Sequence, residues 1–268
     1  MSVVTSQQIS KLYQAYAGEE VLFNKDVTRA LMLNGKGVHI RCFGYQWPCI
    51  IHSSSMTGAK LIVNMKSSIK QIVEKANRNV GLNFSFIQRD RTNPVSFIMK
   101  AKVIQYTPYH PEKPDLNFMH IQFSNRAPDE LIFRLGDLLD AQTQANDRKD
   151  DRIIVNPDTQ RILKLAMKDA VAISIDNIPR KCILRDLSFG GAKVIIFGVP
   201  NFLVNKSSVL TLKFEDPYQT IAIPGKVLRF EEVQGRKDLA AFAIRFDDET
   251  LPSEYKLRLN QYFKLRKK

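Results

Sequence analysis

Long apolar runs are missing from this sequence. No stretch approaches the roughly 20 apolar residues a spanning helix needs, so insertion into a membrane is not expected. The opening residues 1–8 lack a basic segment followed by an apolar core, so no secretory signal is visible. Cysteine is scarce: Cys42, Cys49 and Cys182 are odd in number and form no C-x-x-C pair. A disulfide framework is thereby excluded, and free, buried thiols in a reducing cytoplasm are expected. The four histidines, His39, His52, His110 and His120, are scattered without metal-ligand spacing, so no metal site is expected. Neither G-x-x-x-x-G-K-[ST] nor G-x-G-x-x-G occurs, which removes the common nucleotide-binding loops.

What is present describes a globular protein: 44% hydrophobic and 25% charged residues in 268, enough for two domains with cores of their own. The net charge of +13 raises a nucleic-acid reading, because clustered lysine and arginine release counterions from phosphate backbones. The surplus is nevertheless dispersed. Residues 1–141 hold 17 Lys+Arg against 11 Asp+Glu, and residues 142–268 hold 23 against 16, giving +6 and +7. Such a spread favours anionic ligands through the general field but outlines no groove.

Apolar spacing predicts a helix over 7–17 with Ser6 as N-cap, and a second over 67–77. Between and after them, short alternating runs at 38–43, 49–51, 59–63, 82–87, 97–106 and 118–123 read as antiparallel strands. A helix is expected over 128–139, with Pro128 near its first turn. Residues 140–151 are polar and without apolar periodicity, so they read as a flexible linker. Strands follow at 160–165, 170–175, 182–196 (a hairpin), 208–214, 220–230 and 240–246, and a helix over 251–263 closes the chain.

The hairpin at 182–196 holds the densest chemistry. Its turn collects Asp186, Ser188, Gly190 and Gly191, a carboxylate, a hydroxyl and two glycines able to take positive φ or let backbone approach closely. An ordinary turn, whose Asp and Ser only bond neighbouring amides, would look the same locally. Ser188 has no histidine near it in sequence, so a hydrolase is not expected, and no catalytic residue is assigned. Asp186, Ser188 and Gly191 spell D-x-S-x-x-G, a pattern expected by chance only about 0.04 times in a chain of this composition. Upstream, Arg148 and Arg152 spell R-x-x-x-R, which alone arises about once by chance.

In that order the two patterns resemble the signature of PilZ domains, bacterial receptors for cyclic di-GMP. The gap from Arg152 to Asp186 is longer than usual for the family, with 156–158 as a small insertion. The resemblance implies a non-enzymatic receptor without a cofactor, its ligand held by Arg148, Arg152, Asp186, Ser188 and Gly191. Asp147, Lys149 and Gly190 flank them as a second tier. In the family the residue before the first arginine influences how many ligand molecules stack, and a basic one favours an intercalated pair; Asp147 here implies one ligand per chain.

The two halves also align with each other. Residues 49–63 match 182–196 at an offset of 133, sharing Cys, Ile, Ser, Gly, Ala and Lys, and the offset falls to 124 from Ala101 and Lys102 onward. This implies an internal duplication. In the first copy Ser53 replaces Asp186, Ser55 and Gly58 keep the turn, and Ala15 and Glu19 project onto Arg148 and Arg152. Two-domain PilZ receptors with a degenerate N-terminal barrel, known in flagellated bacteria including spirochaetes, are similar along nearly the whole chain.

The expected fold is therefore mainly β: two tandem antiparallel PilZ-like barrels, each followed by a C-terminal helix and joined by a short polar linker. The expected domains are 1–140, a linker 141–152 carrying both arginines, and 153–268. The resemblance implies a cytoplasmic switch controlling motility, adhesion or virulence through a flagellar or regulatory protein partner, or through nucleic acid. A constitutive basic nucleic-acid-binding protein and a structural adaptor without ligand are the alternatives.

Overall fold

The structure, a computed structural model, describes residues 5–88, 93–197 and 202–266. The chain divides into two compact units, Met1–Leu139 and Asp140–Lys268. The first contains α1 (Ser6–Tyr16), β1 (Val21–Leu22), α2 (Lys25–Ala30), β2 (His39–Cys42), β3 (Tyr45–Ser54), β4 (Gly58–Asn64), α3 (Ser67–Lys75), β5 (Asn79–Phe86), β6 (Val95–Pro108), β7 (Leu116–Phe123) and the start of α4 (Asp129–Asp147). The second continues with β8 (Ile153–Ile154), α5 (Pro157–Leu163), β9 (Val171–Ile175), β10 (Ile178–Leu187), β11 (Gly191–Phe197), β12 (Ser207–Glu215), β13 (Tyr218–Val233), β14 (Arg236–Phe246) and α6 (Ser253–Arg266).

Each unit is a closed six-strand antiparallel barrel with one two-residue strand added. The orders are β1-β3-β2-β5-β6-β7-β4, closed by β3–β4, and β8-β10-β9-β12-β13-β14-β11, closed by β10–β11. They correspond strand for strand. Closure leaves the six strands without free edges. Alternation fills each interior: Leu82, Phe84 and Phe86 of β5 are fully buried in the first barrel, as are Leu210, Leu212 and Phe214 of β12 in the second. Tyr255, Leu259 and Tyr262 of α6 join the second core, each such side chain contributing about 1.5–3 kcal/mol.

Three expectations are corrected. The polar stretch 140–151 is helical through Asp147, because Leu138, Ala141 and Ala145, at helical spacing, are buried. Two of those three are alanines, which leave no apolar period to read. Residues 157–163 are α5 and not a strand: Asn156 caps the helix by accepting from Thr159 N at 2.9 Å, Pro157 sits in its first turn, and Lys164 ends it at φ 58°. Residues 156–158 are thus a helix start with a counterpart in α2, capped by Asn24. Finally, Thr5 and not Ser6 caps α1, in a capping box with Gln8.

No helix among the described residues is long and apolar enough to cross a membrane.

Candidate functional site

The corner between β10 and β11 is built from its own residues outward. Ser188 N donates to Gly191 O at 2.8 Å, and Gly191 N donates back to the Ser188 hydroxyl at 3.1 Å. Ser188 is only 2% exposed, so its hydroxyl belongs to the turn. Tyr255 of α6, fully buried, donates its hydroxyl to Ser188 O at 2.7 Å and fixes the corner to the core; burial pushes the phenol pKa well above its ordinary value. Gly191 is required by β14: a Cβ there would lie 2.2 Å from Ile244 O.

A bulge at Arg185 shifts the β10 register between Leu184 and Asp186 and re-aims the Asp186 side chain. Asp186 then pairs across β10–β11 with Lys193 and across β10–β8 with Ile154. Its carboxylate accepts a charge-assisted hydrogen bond from Arg152, which immediately precedes β8; the Asp186 side chain is 17% exposed and that of Arg152 49%.

The segment between α4 and β8 lies on the same corner. Gly190 N donates to Lys149 O at 3.0 Å, and a Cβ on Gly190 would meet Lys149 Cγ at 2.9 Å. Lys149 forms an ion pair with Asp248, beyond β14. Arg148 N donates to Gln144 O at 2.9 Å, continuing the helical pattern, and Asp151 N donates to Arg148 O at 3.0 Å. The Arg148 guanidinium lies 5.1 Å from the centre of the Phe263 ring and 3.9 Å from Asp151. Phe263 in turn stacks on Phe189 of the corner at 5.9 Å. Asp147, the last residue of α4, is exposed.

The fold thus joins Arg152 to Asp186 and Lys149 to Gly190 directly, and brings Arg148 to the corner through Phe263. The Ser188 hydroxyl is the one candidate group turned inward. Sequence reading missed Asp248, Phe263 and Tyr255. Each lies on or beside α6, and its relation to the corner depends on long-range packing.

Strand pairing also resets the register of the internal comparison. Val21 pairs with Ser54 as Ile153 pairs with Leu187, so Glu20 and not Glu19 stands for Arg152, and Tyr16 and not Ala15 stands for Arg148. Glu20 accepts a hydrogen bond from the Ser53 hydroxyl, the same two positions that Arg152 and Asp186 occupy in the second barrel.

With two barrels of one topology and a charged corner on the second, the chain falls into a recognised class. The PilZN3 domain matches residues 7–142 and the PilZ domain residues 146–263. The chain belongs to the PilZ family, as a tandem of these two domains. It is 38% identical over 268 residues to a cyclic di-GMP binding protein of Treponema denticola, covering 100% of this chain and 85% of that one. Among solved structures it is similar to the Borreliella burgdorferi PlzA protein in complex with c-di-GMP, at 25% identity and TM-score 0.44, over 96% of this chain and 99% of that one. A K. pneumonia MrkH–c-di-GMP complex aligns at 10% identity and TM-score 0.31, over 98% and 97%.

Proposed function

We propose that this protein is a non-enzymatic cytoplasmic receptor for cyclic di-GMP, binding one molecule per chain at the corner of the second barrel. The observation that carries the reading is the Arg152–Asp186 pair, set on a turn whose counterpart in the first barrel holds Glu20 and Ser53. The Treponema denticola relative, whose name states that ligand, supports the same assignment.

Arginine can donate two parallel hydrogen bonds to guanine O6 and N7, stack on a base, or pair with phosphate. Arg148 and Arg152 take those roles. The Asp186 carboxylate accepts from guanine N1–H and N2–H₂, since an ionised carboxylate offers only acceptors. Ser188 and Gly191 act by holding Asp186 in place. Arg152 and Asp186 must part to receive a base. A guanine edge offers two acceptors to the arginine and two donors to the carboxylate, so the exchange leaves neither charge unpaired.

Residues 148–151 continue directly from α4, which starts in the first unit. A ligand that re-forms this segment acts on the end of that helix, and differential contacts in two arrangements shift the balance between the units. The output is control of motility, adhesion or virulence through a protein partner or nucleic acid.

The test is calorimetric titration with cyclic di-GMP. Wild type is expected to bind with a stoichiometry of one, and Arg148→Ala/Arg152→Ala to lose at least 100-fold in affinity while remaining folded. Unchanged affinity in the double variant, or a wild-type protein indifferent to the nucleotide, overturns the reading.

A further inference from the structure

The outer face of the second barrel carries a cation that none of these roles uses. Along β14, Phe242, Ile244 and Phe246 are buried, so the alternation turns Arg245 outward, where it is exposed. Its cross-strand partners are Gly191 on β11 and Lys226 on β13. Gly191 is buried and has no side chain, so on that flank no side chain at the paired position stands between Arg245 and the motif corner. The next row on the same face runs Asp186, Lys193, Ala243 through β10, β11 and β14. Arg245 is a diagonal neighbour of Lys193, about 7–8 Å away, and lies two strand spacings, about 10 Å, from β10.

Charges in the neighbouring row are matched: Arg152 with Asp186, and Lys193 with Glu231 at 2.5 Å. Arg245 and Lys226 are not. They stand directly opposite each other, and among the described residues neither side chain has an ion pair or hydrogen bond. Like charges so placed destabilise a sheet, and an anion held beside Arg245 relieves the repulsion.

The first barrel is the control. Gln122 pairs with Gly58 as Arg245 pairs with Gly191, and Lys102 pairs with Gln122 as Lys226 pairs with Arg245. Lys60 and Lys102 keep the lysines of the second barrel, Lys193 and Lys226, while the arginine has become a neutral amide. Arg245 therefore changes between the copies together with Arg152 and Asp186, and the lysines around it do not.

We infer that Arg245 is a third guanidinium of the ligand site, taking a phosphate of the cyclic dinucleotide while Arg152 and Asp186 hold a guanine edge. The inference rests on the cyclic di-GMP reading and adds to it a residue outside both sequence patterns. Titration of wild type, Arg245→Gln, Arg245→Lys and Arg245→Ala with cyclic di-GMP, at two salt concentrations, tests it. Arg245→Gln carries the side chain that the first barrel holds at this place. The expected result is at least a 10-fold loss in the Gln and Ala variants and partial retention in the Lys variant. The salt dependence should be shallower where the charge is gone, with the free protein no less stable, since the repulsion with Lys226 is relieved. Wild-type protein that does not bind overturns the receptor reading itself. Wild-type binding with Arg245→Gln within twofold of it overturns only this inference.

Discussion

The two barrels share a corner and differ in what it carries. In the first, Ser55 N donates to Gly58 O at 2.9 Å and Gly58 N to the Ser55 hydroxyl at 3.2 Å, reproducing the Ser188–Gly191 turn. A Cβ on Gly58 would lie 2.6 Å from Ile121 O, as one on Gly191 would lie 2.2 Å from Ile244 O. The bulge recurs too, at His52 and Arg185. The charges do not: Glu20 and Ser53 stand where Arg152 and Asp186 stand. Serine and glycine of the D-x-S-x-x-G pattern are thus demands of the barrel, met in both copies, and the aspartate with its arginine partner is what distinguishes the second. An acidic residue on the segment before β1 repels a phosphate; a basic one before β8 attracts it.

Exchanging the distinguishing residues gives the largest expected effect. Arg152→Glu with Asp186→Ser copies the first corner into the second and should remove cyclic di-GMP binding by more than 100-fold in calorimetry, with the fold intact. The reverse graft, Glu20→Arg with Ser53→Asp, should create an ion pair and no affinity, because Tyr16 and Gln122 still stand for Arg148 and Arg245. Retained binding in the first variant breaks the comparison.

The shared residues should behave alike in both barrels. Gly191→Ala and Gly58→Ala each force a methyl onto a strand carbonyl, a cost of about 1–3 kcal/mol measurable by denaturant unfolding, larger at Gly191, where the approach is closer. Stability unchanged in both would show that the backbone yields. Ser188→Ala removes the hydroxyl's bonds with Gly191 N and O, and Ser55→Ala removes the matching pair with Gly58 and two more with Thr57, so at about 1 kcal/mol per bond both variants should lose stability, Ser55→Ala the more.

Smaller effects separate the copies by environment. Cys49 and Cys182 occupy equivalent strand positions, and burial pushes their thiols up to about 12 and about 11. At pH 8 both should label slowly in the native protein, Cys49 the slower, and rapidly once unfolded; fast native labelling of Cys49 contradicts its burial. His120 has Ala243 as its counterpart, each opposite the lysine that both copies hold, Lys60 or Lys193. Burial first, and then Lys60, lower the His120 pKa. Its folded pKa lies below the unfolded value of about 6.5, so its contribution to stability is complete above that pH and falls as the pH drops toward the folded value. A wild-type stability profile between pH 7.5 and 5 should therefore slope downward more than that of His120→Ala.

Much of this architecture was legible in the residues because its signals are local. Alternation located the barrel strands, and the polar corner stood out because Asp186, Ser188 and Gly191 lie within six residues. The errors share one cause. Alanine carries little apolar contrast, so Ala141 and Ala145 hid the last turns of α4, and a chain that reads as linker folds as helix. The six residues at 160–165 place Ile162, Leu163 and Leu165 too close together to show a helical period, and only the Asn156 cap and the Pro157 start reveal α5. In both cases the helix is decided by what its face packs against.

Taken alone, the order of amino acids determined the paired barrels and the family pattern, with its arginines, aspartate, serine and glycine, since these follow from period and proximity along the chain. Only the tertiary structure decided that Ser188 faces inward, that Glu20 is the partner position of Arg152, and that Arg245 borders Gly191. Those facts depend on which strand lies beside which. Antiparallel pairing brings together residues tens of positions apart, and a single bulge changes the face on which a side chain stands.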